Sequence, residues 1–361
     1  MKKSVIISIA ACSVLAACSK NELVSVSPAD EQIKFETAVN KSTKTLITGT
    51  TYATANTFGT VAYKVNGSDT QLYIPVSEVS YTAGTADTPA YWSTSAPYYW
   101  PKQGTLTFYS YSPYKFQETS DVVVPVAATK AGLKFENYNV ADHQLTDLMT
   151  AEKQSGLTGS NASETGLKAG VKTVFHHKLA QVVAINFETV LDGARHDYAN
   201  GHTTSTFVAG DKEFIINKVE LKNIKETATL TDDGDATSTW TNYAAATSTV
   251  AWHSNTANTA FNAGEYKTKC DVNDYRLVLP QTFETGADSQ RIYFEYTIRT
   301  YTSNADYAEE KLNHTAEFKG LQTAWEQNKR YTYTFKIGLD RIYWVPSVVD
   351  WVDETVPGPT I

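Results

Sequence analysis

Apolar and polar residues alternate along much of this chain with a period of two. The clearest case places Tyr331, Tyr333, Phe335, Ile337 and Leu339 on one side and Thr332, Thr334 and Lys336 on the other. Ile33, Phe35, Thr37 and Val39 alternate in the same way with Lys34, Glu36, Ala38 and Asn40. Such a period marks a strand with one buried face. Further strands are predicted over residues 58–65, 72–81, 105–111, 122–124, 145–151, 171–187, 214–224, 249–252, 275–280 and 291–301. Asn66-Gly67 between two of them is a strong hairpin signal. Pro75 in the second partner implies an edge or a bulge. Residues 321–329, around Trp325, read as a turn or short helical piece. No long stretch shows the 3.6-residue helical period.

Composition agrees with the pattern. The chain holds 22 Tyr, 14 Phe and 7 Trp but only 2 Met, which suits pleated, half-buried surfaces. The predicted class is all-β, with many short strands at sandwich-like spacing. The 361 residues allow one large or two medium domains. Two polar loops, 153–170 and 191–211, offer boundaries; the second gives domains at 33–190 and 205–361. Residues 342–352 are apolar on both faces around Pro346. Such a terminal strand needs cover from its own domain or from another molecule.

The N-terminus changes the picture. Lys2 and Lys3 precede an apolar run from Val5 to Ala17, too short for a permanent membrane helix. The run ends in Leu15-Ala16-Ala17-Cys18, which resembles the lipobox of bacterial lipoproteins. Residues 1–17 then form a signal peptide, Cys18 carries lipid, and residues 18–32 form a flexible tether. An ordinary signal cut near Ala17 is the alternative. Several acyl chains on Cys18 would anchor the protein firmly to a membrane. The net charge of −8 becomes −10 once Lys2 and Lys3 leave, which argues against nucleic acid as a partner. Cys12 leaves with the signal, so Cys270 has no partner and reads as a small buried hydrophobe.

No catalytic constellation is present: G-x-S-x-G, H-E-x-x-H, C-x-x-C and a phosphate-cradling glycine loop are all missing. His176 and His177 are adjacent, so on a strand they face opposite ways and do not share a metal. Asp232-Asp233-Gly234-Asp235 lacks the spaced ligands of a calcium loop and reads as a solvated turn. Tyr91, Trp92, Tyr98, Tyr99 and Trp100 are either core aromatics or a platform for stacking sugars. Neither an enzymatic activity nor a cofactor is expected.

Several features recur in one order: the Cys18 lipobox, the 33–39 strand with a basic loop after it, and Tyr98-Tyr99-Trp100-Pro101 running into Leu106-Thr107-Phe108-Tyr109-Ser110-Tyr111-Ser112-Pro113. Asp147-Leu148-Met149, Phe175-His176-His177-Lys178-Leu179, the approach from Trp325 to Tyr333, and the Pro346 to Trp351 ending follow. In this order the chain resembles the fimbrillins of Bacteroidales, the type V pilins and their fimbrillin-like relatives. The resemblance implies two tandem transthyretin-like β-sandwiches and a lipoprotein precursor in the outer membrane. It implies that a trypsin-like protease cuts after a basic residue beyond the first strand. That strand, carrying Ile33, Phe35 and Val39, would leave, and a strand from another fimbrial subunit would replace it. The polar loop after Val39 offers Lys44 as the cut site, with Lys41 second. The doubly apolar end offers Ile342, Trp344, Val345, Val348, Val349 and Trp351 as the donor strand. The implied location is the cell surface and its fimbriae, with a surface glycan or protein as adhesion ligand. The alternative is a monomeric outer-membrane lipoprotein that binds glycans.

Overall fold

The computed structural model describes residues 31–39, 52–86, 90–117, 122–125, 132–159, 170–189, 207–234, 238–245, 248–257, 265–266, 268, 270–271, 274–320, 322–337 and 342–350. Cys18, Lys41, Lys44 and Trp351 lie outside them. The first half of the chain carries β1 (Phe35–Val39), β2 (Phe58–Asn66), β3 (Asp69–Thr82), β4 (Tyr91–Thr94), β5 (Thr105–Ser112), β6 (Val122–Pro125), β7 (Leu133–Asn139), β8 (Met149–Ala151), β9 (Gln154–Leu157) and β10 (Val171–His177). Then come β11 (Ala180–Thr189), β12 (Lys212–Ile224), β13 (Thr227–Asp232), β14 (Thr239–Thr241), β15 (Ser248–Ser254) and β16 (Glu265–Tyr266). The last are β17 (Arg276–Val278), β18 (Gln281–Thr282), β19 (Arg291–Tyr301), β20 (Tyr307–Glu317), β21 (Ala324–Trp325), β22 (Lys329–Ile337) and β23 (Ile342–Asp350). The all-β class holds; the helical pieces at residues 114–117, 140–143 and 318–320 are short 3₁₀ turns.

In the first half the strands close on themselves. The order β2-β3-β4-β1-β10-β8-β5 returns to β2 through a β2–β5 ladder. Strict alternation gives this ring an inside and an outside. Phe58 and Ala62 of β2 and Leu106 and Phe108 of β5 pack inside with Ile33, Phe35, Trp92 and Phe175. Val61 and Tyr63 of β2 and Tyr109 and Tyr111 of β5 face outward into a second core. A four-stranded sheet in the order β14-β13-β7-β6 covers that outer face. Pro75 sits where the β2–β3 register shifts, between the Thr60–Ser77 and Ala62–Ile74 pairs.

The second half is a sandwich of β16-β11-β22-β23 against β15-β12-β19-β20. Phe187, Phe294, Phe335 and Trp252 lie in the core between them. Pro346 lies on β23, beside β22 at the edge of its sheet, where a missing N–H costs little.

Strand pairing crosses the 33–190 and 205–361 division. β11 pairs in parallel with β22, and β13 pairs with β7. The reason is apolar cover: Ala228, Leu230 and Trp240 bury against the outer face of the ring. The 171–187 run is two strands that join different sheets, broken at Lys178-Leu179. Residues 145–151 give a strand only at their end, and 153–170 contains β9.

Candidate assembly site

Ile33 and Phe35 are buried inside the ring, each 1% exposed. The chain enters along residues 98–100. The Ile33 N–H donates to the Tyr98 carbonyl at 2.8 Å, and the Trp100 N–H donates to the Glu31 carbonyl at 3.4 Å. It then runs parallel to β10 from Phe35 opposite Val171 to Val39 opposite Phe175. On its other side Phe35 lies opposite Trp92 of β4. β1 is therefore the stave between β4 and β10.

Aromatic rings surround that stave. Phe35 meets Phe58 at 5.7 Å and Phe108 at 5.8 Å, both edge to face. Tyr52, where the described chain resumes after residue 39, stacks on Phe175 at 5.0 Å and meets Trp92 at 5.4 Å. Its hydroxyl donates to the Thr57 carbonyl at 3.0 Å and pairs with Ser112 Oγ at 2.7 Å. Burial pushes that hydroxyl up to about 12, against the lowering effect of the Ser112 bond.

Gly170 is fitted to β1. Its φ is +131°, and a Cβ there would lie 2.5 Å from the Lys34 carbonyl carbon and oxygen and from the Phe35 nitrogen. The next N–H, of Val171, donates to the Lys34 carbonyl at 2.6 Å. Only glycine lets the two backbones approach this closely. Gly170 and Tyr52 escaped the sequence reading. The signal for Gly170 was a glycine directly before an apolar strand.

At the other end of the chain, β23 lies antiparallel to β22, with Ile342 opposite Ile337, Trp344 opposite Phe335 and Val345 opposite Thr334. Ile342 packs against the second core. Val348 and Val349, opposite Tyr331 and Arg330, are 47% and 56% exposed. No described strand lies on the far side of β23.

The remaining candidates resolve differently. Trp92 and Trp100 are buried in the ring, while Tyr99 is 47% exposed, so no described platform uses all five aromatics. His177 is buried and bonded to Asp147; His176 sits on Glu152 at 3.1 Å on the other face. Cys270 is buried and free. The acidic turn is not wholly solvated: Asp232 is fully buried, accepting from Gly234 N–H at 3.1 Å and Ser238 Oγ at 2.9 Å. Burial pushes its carboxyl up while Lys178 opposes the shift. Lys178, itself buried, is pulled down by the same desolvation against the pull of Asp232. Among the described residues no group of His, Cys, Asp and Glu could hold a metal. No described helix is long and apolar enough to cross a membrane.

A closed ring completed by β1, joined to a second sandwich, makes this an all-β protein. Residues 43–351 match the model of the fimbrillin-like family, and the chain belongs to that family. A fimbrial protein from Bacteroides vulgatus ATCC 8482 has a similar fold, with a TM-score of 0.56 at 16% identity over 89% of this chain and 99% of that one. A candidate cell adhesion protein from Parabacteroides distasonis ATCC 8503 is similar at a TM-score of 0.51 and 11% identity, over 89% and 96%. No curated protein matches the chain.

Proposed function

We propose that this protein is a structural and adhesive fimbrial subunit that polymerises by exchanging β1 for a strand of its neighbour. The precursor is exported, lipidated on Cys18 and held at the outer membrane. A trypsin-like protease at the cell surface cuts after Lys44, or after Lys41, and the lipid, tether and β1 depart. The observation that carries this reading is the position of β1. It closes the ring between β4 and β10, and its removal unpairs one edge of each.

The energetics favour refilling. Loss of Ile33 and Phe35 exposes an apolar trough, and each large apolar side chain buried there stabilises by about 1.5–3 kcal/mol. An open sheet edge takes a strand through main-chain hydrogen bonds, with alternate side chains filling pockets. Head-to-tail capture does not close, so it grows a filament. The segment around Ile342, Trp344, Val345, Val348, Val349 and Trp351 supplies the strand. It forms an edge of its own sheet and already exposes Val348 and Val349.

N-terminal sequencing of filaments sheared from cells tests the proposal. The expected mature chain starts at Thr45, or at Ser42 for the cut after Lys41, and runs as an SDS-resistant ladder. Filaments whose subunits still begin at Cys18 would overturn it. Deleting residues 342–356 should leave secreted monomer without a ladder.

A further inference from the structure

A buried pair that strand exchange does not use lies where the two halves meet. Lys178 stands at the break between β10 and β11 and is 1% exposed; Asp232 ends β13 and is fully buried. The backbone of Lys178 is held from both sides. Its N–H donates to the Leu148 carbonyl at 2.8 Å, and its carbonyl accepts from Trp240 Nε1 at 3.0 Å. Trp240 follows Ser238 by two residues, and Ser238 grips the Asp232 carboxyl. One short stretch of chain thus fixes both residues, and their side-chain charges act on each other. Their neighbours Leu148, Leu179 and Trp240 belong to a buried apolar core.

The two carboxyl oxygens of Asp232 are unequal. Oδ1 accepts from the Gly234 N–H at 3.1 Å and from Ser238 Oγ at 2.9 Å. Oδ2 is buried with no hydrogen-bond partner among the described residues. A carboxylate kept for an ion pair would need partners on both oxygens, because a buried charge is costly unless it is paired and hydrogen-bonded. Desolvation is the leading influence on both groups. It pushes the Asp232 carboxyl up and the Lys178 amine down, against their mutual attraction. Both shifts favour the uncharged forms, a free amine beside a carboxylic acid.

We propose that Lys178 and Asp232 condense into an intramolecular amide that staples β13 to the β10–β11 junction. The Lys178 Nζ lone pair attacks Asp232 Cγ. Charge then gathers on Oδ1, where two donors already stand at the spacing that stabilises an oxyanion. Oδ2, which no described donor retains, is the oxygen that leaves. One Nζ proton joins the departing hydroxyl to make water. It is carried by the Asp233 carboxylate, whose charge reaches Lys178 and which ends unchanged. The Nζ–Cγ bond replaces the Cγ–Oδ2 bond, and nothing is oxidised or reduced. Holding both groups in one dry place gives an effective concentration far above that of free reagents. The product buries a neutral amide in place of two charges, with Oδ1 still bonded to Gly234 and Ser238. Force applied to either half would then load a covalent bond between them.

Tryptic digestion of the full chain recovered from its own cells tests the proposal. Cleavage after Lys172, Arg195, Lys225 and Lys267 should release residues 173–195, uncut at Lys178, joined to residues 226–267. The joined species should be lighter by one water than the two peptides together. Lys178→Arg and Asp232→Ala should each abolish it. Asp232→Asn should keep it at the same mass, because the carboxamide releases ammonia where the acid releases water. Separate peptides 173–178, 179–195 and 226–267 from the unaltered chain would overturn the proposal and leave a buried ion pair. A joined peptide that persists in Asp232→Ala would overturn the assignment to Asp232. If the variants fail to fold, fragment masses of the joined peptide from the unaltered chain still decide.

Discussion

The two halves of the chain use the same device at their starts. In the first half the opening strand β1 lies parallel to β10, the strand with which that half ends. In the second half the opening strand β11 lies parallel to β22, again near the end of its half. Both strands place aromatic side chains in a core: Phe35 in one, Phe187 in the other. They differ in length and attachment. β1 has 5 residues and is followed by a segment containing Lys41 and Lys44. β11 has 10 residues and continues directly from β10 through Lys178 and Leu179. A parallel partner far away in sequence is thus common to both, and the proposed strand exchange detaches only the first.

The largest effects test that difference. Phe187 is fully buried, 4.9 Å from Phe294 and 5.5 Å from Phe335. Replacing it with alanine should cost about 3–5 kcal/mol in denaturant unfolding. Phe35→Ala should cost a similar amount in the uncut chain. The two then part company. After limited proteolysis at Lys44, Phe35→Ala should speed loss of the 33–39 segment on gel filtration at least tenfold, while Phe187→Ala should leave the rate near that of the unaltered chain. Equal release rates would erase the contrast between a removable and a permanent opening strand.

A smaller effect is expected at Gly170. Gly170→Val sets a branched side chain against the Lys34–Phe35 peptide at a φ of +131°. The combined overlap and backbone strain should cost about 1–3 kcal/mol. The expected signature is local, with faster hydrogen exchange at the Val171 N–H that donates to Lys34, and little change at β22. Uniform loss of protection in both halves would show that β1 docking is not a separable event.

How much of this was legible beforehand depends on burial. β19 was readable to the residue because its inward side chains, Ile292, Phe294 and Tyr296, are buried and apolar. β20 was missed. Glu309, Glu310 and Lys311 fill an exposed strand, so its pattern carries no buried face. β13 was hidden beside the acidic turn, whose Asp232 looked solvated and is buried with Ser238. The apolar character of 33–39 was plain, and so was that of the chain's end. Closure of the ring was not, because the parallel β1–β10 ladder links distant residues and leaves no local mark. Gly170 and Tyr52 acquire meaning only from that closure.

The smallest predicted effect separates the halves by pH. His176 on β10 sits beside Glu152 from the β8–β9 connection, with Lys178 and His177 as its neighbours along the chain. Burial pulls its imidazole below the ordinary histidine value; Glu152 pulls the other way and loses. The unfolded chain therefore takes up a proton near pH 6.5 that the folded chain refuses until lower pH. Stability is full above 6.5 and falls as the pH drops from there toward the folded value, below which the loss is constant. His314 on β20 is lowered by burial in the same direction, so the second half carries a loss of the same sign. His176→Gln should flatten the pH dependence of unfolding for the first half alone, followed through hydrogen exchange at Val171, and His314→Gln that of the second, followed at β19. If His176→Gln instead flattened both, the two halves would unfold as one unit. The β10–β11 connection would then couple them more tightly than the proposed release of β1 implies.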